Sequence, residues 1–69
     1  MLFEVALIEL PKPKEVEESG ALEKIIMAPT PVVAKDEASA GVIAVLDNKD
    51  KIECEMTRLQ VLVRPFAVG

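Results

Sequence analysis

The chain has no histidine, tryptophan or tyrosine, and among 69 residues only one cysteine, two phenylalanines and three glycines. Each scarcity removes a class of chemistry. General acid–base work at neutral pH draws first on histidine. Without one, Cys54 has no imidazole to activate it as a nucleophile, and it reads as an inert, partly buried thiol. One cysteine cannot build a zinc site. Nor can it close an internal disulfide, which fits a reducing compartment. Gly20, Gly41 and Gly69 stand alone, so no glycine loop cradles a phosphate.

Basic charge is scarce as well. Eight Lys and Arg face twelve Asp and Glu, for a formal charge of −4. Such a chain offers no footprint to a nucleic-acid backbone. Phe3 and Phe66 lie at opposite ends, so successive bases find no stacking platform. The longest uninterrupted apolar block runs from Ala40 to Leu46. That is far short of the roughly 20 residues a spanning helix needs. The opening segment carries Glu4 and Glu9 and no basic leader, so no secretory signal is read there. The expectation is a soluble, cytoplasmic, non-enzymatic protein with no cofactor, no metal, no direct nucleic-acid contact and no membrane contact.

What the chain does have is apolar surface, at 51% of residues. Its length allows one domain, 1–69. A chain this size hides only roughly 60% of its unfolded surface.

Leu2–Leu10 reads as a strand, rich in strand formers and bounded by Pro11 and Pro13. Phe3, Val5 and Leu7 share one side, and Leu2, Ala6, Ile8 and Leu10 the other. Both sides are largely apolar, as in a strand covered on both faces. Residues 11–21, with two prolines, alternating charges and Gly20, read as a mobile loop. Leu22–Ala28 is the second strand, with Ile25 and Met27 on one side and Ile26 on the other. Pro29-Thr30-Pro31 is expected to break the ladder before Val32-Val33-Ala34.

Asp36 reads as a helix N-cap, with Glu37 favoured in the first turn by the helix dipole. Ala38, Val42, Val45 and Leu46 form one helical stripe, and Asn48 is a left-handed stop. Ala40, Ile43 and Ala44 lie off that stripe, and Gly41 costs about 1 kcal/mol relative to Ala in a helix interior. Either Gly41 packs closely on the sheet or the helix has a second contact face. Ile52–Met56 is a short strand or tight loop. Leu59–Phe66 is the last strand, with Leu59, Val61 and Val63 facing the core and Gln60, Leu62 and Arg64 facing away.

The order predicts an α+β fold: a two-layer β-β-α-β domain, its three-stranded sheet carrying one helix on one face. Carboxylates give no site. Asp47–Lys51 fails as a calcium loop because its third and fifth positions are lysines and no glycine stands sixth. Glu53 and Glu55 share a strand face and could at most complete an active site shared with another subunit. What remains is the uncovered sheet face, carrying Leu2, Ala6 and Ile8, or else Phe3, Val5 and Leu7. An exposed apolar patch of that kind marks a protein interface. The candidate interface residues are Phe3, Val5, Leu7, Ile25, Met27, Ile43, Leu62 and Arg64.

Phe3-Glu4-Val5 in an early strand, Asp36-Glu37-Ala38 opening the helix and Val63-Arg64-Pro65 in the closing strand carry a resemblance. In layout the chain resembles very small tailed-phage proteins, among them short phage inhibitors of bacterial RNA polymerase. The likeness covers the second half best; the chain departs from it in lacking tryptophan and in its proline-rich first connection. It implies a virion or host-cytoplasm setting and partner binding through the acidic surface and Arg64. The expected function is a protein–protein interaction or assembly module. It would be a small phage structural or accessory protein that forms homo-oligomers or docks on a larger protein. The alternative is a regulator that binds a host enzyme such as RNA polymerase through its acidic surface.

Overall fold

Alternation along Leu2–Glu9 places Phe3, Val5 and Leu7 on one side of strand β1, and all three are buried. This strand is the centre of the sheet. A computed structural model describes residues 1–66. After β1 come helix α1 (Pro13–Ser19), strand β2 (Lys24–Val33), helix α2 (Glu37–Asp47) and strand β3 (Leu59–Pro65). The strand order is β2-β1-β3, and both outer strands run antiparallel to β1. With α2 packed on one face, this is the expected α+β, two-layer arrangement. β2 and β3 are therefore parallel to each other with β1 between them, the geometry to which the right-handed crossover preference applies.

The core lies between β1 and α2. Phe3, Val5 and Leu7 meet Ala40 and Ala44 of the helix, with Val45, Val61 and Val63 partly buried around them. The face α2 turns to the sheet is the small-residue one, not the stripe of Ala38, Val42, Val45 and Leu46. Of that stripe only Val45 is partly buried. The reason is distance. A Cβ added at Gly41 would stand 3.3 Å from Val61 Cγ1 and 3.6 Å from Val63 Cγ2. Small side chains let the helix lie almost on the strands, and the larger ones are pushed to its flank and outer side.

Asp36 caps α2 as expected, its Oδ1 accepting from the Ser39 amide at 2.7 Å. Asn48 does not end the helix in a left-handed conformation, since its φ is −115°. Its side chain ends the helix instead. The buried Asn48 amide donates to the Ala44 carbonyl at 2.8 Å and to Met27 Sδ at 3.1 Å. The Ala44 carbonyl, which also takes the Asn48 backbone N–H at 3.2 Å, thereby accepts twice, and the helix end is tied to β2.

Two segments differ from the sequence reading. Residues 11–21, expected as a loop, contain the two-turn α1. Pro13 stands in its first turn, where its missing N–H costs nothing. The Glu15 carboxylate accepts from the Lys12 amide at 3.3 Å, and Gly20 closes the helix at φ 64°. No residue of α1 is buried. Ile52–Met56, read as a short strand or a tight loop, is the loop, running from a short 3-10 turn at Lys49–Lys51 into another at Met56–Arg58.

The second segment, Pro29-Thr30-Pro31, does not break the ladder. Met1 and Ala34 exchange backbone hydrogen bonds. By alternation Phe3–Val32 and Val5–Thr30 are the next bonded pairs. Pro31 therefore turns its nitrogen away from β1, where no donor is missed. Two register shifts follow, with Ala28-Pro29 opposite Ala6 and Ile25-Ile26 opposite Ile8. These are β-bulges.

Gly41→Val is expected to lose about 1–3 kcal/mol in urea denaturation, because added methyls find no room beside Val61. Gly41→Ala is expected within ~1 kcal/mol of wild type, its helix propensity offsetting the crowding. The Asp36 carboxyl is held below its ordinary pKa, first by the Ser39 amide and then by the Ser39 hydroxyl. A depressed native pKa stabilises the fold above the unfolded value near ~3.9 and is lost as pH falls below it. Asp36→Asn keeps the acceptor. Thermal scans should show its Tm near wild type at neutral pH and a smaller fall in acid.

Candidate functional site

The site is the sheet face that α2 does not cover. Its residues follow from the pleat. Leu2, Glu4, Ala6 and Ile8 of β1 point to it, as do their register partners Val33, Pro31 and Ile25 of β2 and Arg64, Leu62 and Gln60 of β3. Ile25 is 66% exposed and Val33 74%, and Leu2 and Leu62 are exposed as well. The surface is mostly hydrocarbon.

One ion pair crosses it. Arg64 Nε donates to Glu4 Oε1 at 2.7 Å, and Arg64 Nη2 contacts the same oxygen. The two residues are directly opposite on β1 and β3. Glu4 is largely buried by its neighbours while Arg64 remains open to solvent. Beside them lies a shallow depression of about 250 Å3, floored by Ala6, Pro29 and Leu62. A planar guanidinium held over an apolar floor is a common anchor in protein interfaces.

The structure sorts the eight candidate residues into two groups. Ile25, Leu62 and Arg64 are on the open face. Phe3, Val5 and Leu7 are not surface residues, because α2 covers their side of β1 and leaves them at most 2% exposed. The alternative set, Leu2, Ala6 and Ile8, is the one left open. Met27 is on the covered face opposite Leu7 and packs with Ile26 against the core. Ile25 and Met27 thus do not share a side, because the Ile25-Ile26 bulge reverses the pleat between them. Ile43 is on α2, which packs on the other side of the sheet, and is exposed there. Val33 belongs to the site and was hidden from the sequence reading by the expected break at Pro29-Thr30-Pro31.

Carboxylates elsewhere do not converge. Among the described residues no group of three or more His, Cys, Asp and Glu gathers in a way that could hold a metal ion. Glu53 and Glu55 are both exposed, in a non-strand segment, and Cys54 between them is a free, half-buried thiol. No helix among the described residues is long and apolar enough to cross a membrane. Compared with family models, curated proteins and solved structures, the chain matches none.

Arg64→Ala is expected to cost at most about 1 kcal/mol, since one partner is solvent-screened. The loss should shrink at high salt. Urea denaturation at two ionic strengths checks both statements.

Proposed function

We propose that this chain is a non-enzymatic assembly module that buries its open sheet face against protein, either copies of itself or a larger partner. The observation that carries this reading is the area the fold leaves uncovered. A compact monomer of 7.5 kDa exposes roughly 4,250 Å2, whereas this chain exposes 4987 Å2. The excess, of order 700 Å2, is shared by the open face, the unburied α1 and the outer side of α2, and is comparable to the ~800 Å2 each partner contributes to a standard interface. The molecule measures 42 × 26 × 15 Å, and 15 Å is the depth of two layers. In this reading another chain supplies the third layer. The resemblance to very small tailed-phage proteins is consistent with a structural or accessory role in a larger particle.

A second reading rests on α1. Glu15, Glu17 and Glu18 all stand exposed there, with Lys14–Glu18 a loose 4.0 Å pair. An acidic, solvent-facing helix suits fast electrostatic docking on a basic enzyme surface, which salt would weaken. That is the regulator reading, with a host enzyme such as RNA polymerase as the class of target.

Ile25→Lys/Val33→Lys charges the open face at its β2 side without touching the core. Light scattering at micromolar concentration should give wild-type masses above one chain and a lower mass for the double variant. Wild type that stays a monodisperse monomer defeats the self-association reading. Equal masses for an associated wild type and the variant defeat the use of this face for self-association.

A further inference from the structure

The two edges of the sheet are unequal. β2 is blunted: Pro31 presents no outward N–H, Pro29 sits in a bulge and a second bulge follows at Ile25-Ile26. Proline and bulges are common defences against edge-to-edge pairing. β3 has no such defence along most of its length. Phe66 donates to Leu2 and Leu10 donates to Arg58, so the even-numbered residues of β3 are the ones bonded to β1. Leu59, Val61 and Val63 therefore turn their backbone groups outward, the Leu59 N–H being taken up by the Met56 carbonyl and the others left open, and their register with β1 shows no bulge. Pro65 ends the row. The stretch Leu59–Val63 carries no charge, and the arginines that flank it, Arg58 and Arg64, are each already paired within the chain, with Glu9 and Glu4.

Alongside this edge runs an apolar groove of about 460 Å3 between α2 and β3. Val42, Leu46 and Met56 line it and are 58%, 62% and 64% exposed. This is the apolar helix stripe that the sheet did not bury. A strand added to β3 would bring a layer of its own over the groove.

We propose that the occupant is a second copy of this chain, paired antiparallel through β3 about a two-fold axis at Val61. In that register Val61 faces Val61 of the second copy, and Leu59 faces its Val63. The outward N–H groups of Val61 and Val63 then donate to the Val61 and Leu59 carbonyls of the second copy, and the sheet becomes six-stranded. The two α2 helices lie on the same face of that sheet and bury Val42 and Leu46 between them. An isologous contact of this kind needs one self-complementary surface, and the uncharged edge with its flanking stripe is one. A different protein strand could meet the same donors. The match of Leu59 with Val63 about a central Val61, ended by Pro65, favours self-pairing.

This surface is separate from the open face, and the experiment keeps the two apart. Gln60 and Leu62 of opposite copies form non-hydrogen-bonded pairs in this register, with Cα atoms about 4.5 Å apart, within disulfide range. In a Cys54→Ser background, chains carrying Gln60→Cys are mixed with chains carrying Leu62→Cys under mild oxidant. The mixture should give cross-linked dimer far in excess of either population alone. Val42→Lys/Leu46→Lys should raise the dissociation constant at least about ten-fold, as expected for charging an interface centre. Ile25→Lys/Val33→Lys should leave the dimer intact. In wild type, amide exchange at Val61 and Val63 should slow as concentration rises. A mixture that cross-links no better than its components overturns the proposal, as do free exchange at these two amides and a chain that is monomeric at millimolar concentration. If association is lost in the Ile25/Val33 variant but kept in the Val42/Leu46 variant, the open face stands and the β3 edge does not.

Discussion

A single helix can shield only one side of a sheet. Everything else in this molecule follows from that constraint, because β1 is apolar on both sides. Phe3, Val5 and Leu7 claim the helix, and Leu2, Ala6 and Ile8 are left without cover. The helix meets its side by close approach. Ala40, Gly41 and Ala44 let it settle onto Val61 and Val63, and the larger Val42 and Leu46 stay mostly exposed at its flank. Two apolar surfaces thus arise from one packing decision.

Much of this was legible in the residues. The three strands, the capped helix and the two-layer arrangement follow from apolar periodicity and from Asp36. The faces of β3 were readable because it is a regular strand paired with a regular strand. Three features were not. Which side of β1 is covered depends on where α2 lands, and no local pattern encodes that. The helix stripe was read by size, whereas the sheet selected for smallness. The Pro-Thr-Pro segment was read as a break, although proline interrupts a ladder only when its nitrogen points into it. That direction is set by register with β1, a non-local property.

α1 shows a different kind of oversight. Its residues carry proline in the first turn, glutamate two positions later and glycine just past the end, the sequence asymmetry of a helix. Its alternating charges and paired prolines are equally those of a loop. With Val16 exposed and no residue buried, the helix has no hydrophobic face to betray it.

The prolines of β2 also bear on how far a chain like this can grow. A ribbon sticky along both margins adds copies without end and becomes a fibre. Pro29 and Pro31 close one margin, so joining along the other consumes the one unguarded rim among the described residues. Growth by that route halts at a pair, and anything larger must be built by stacking.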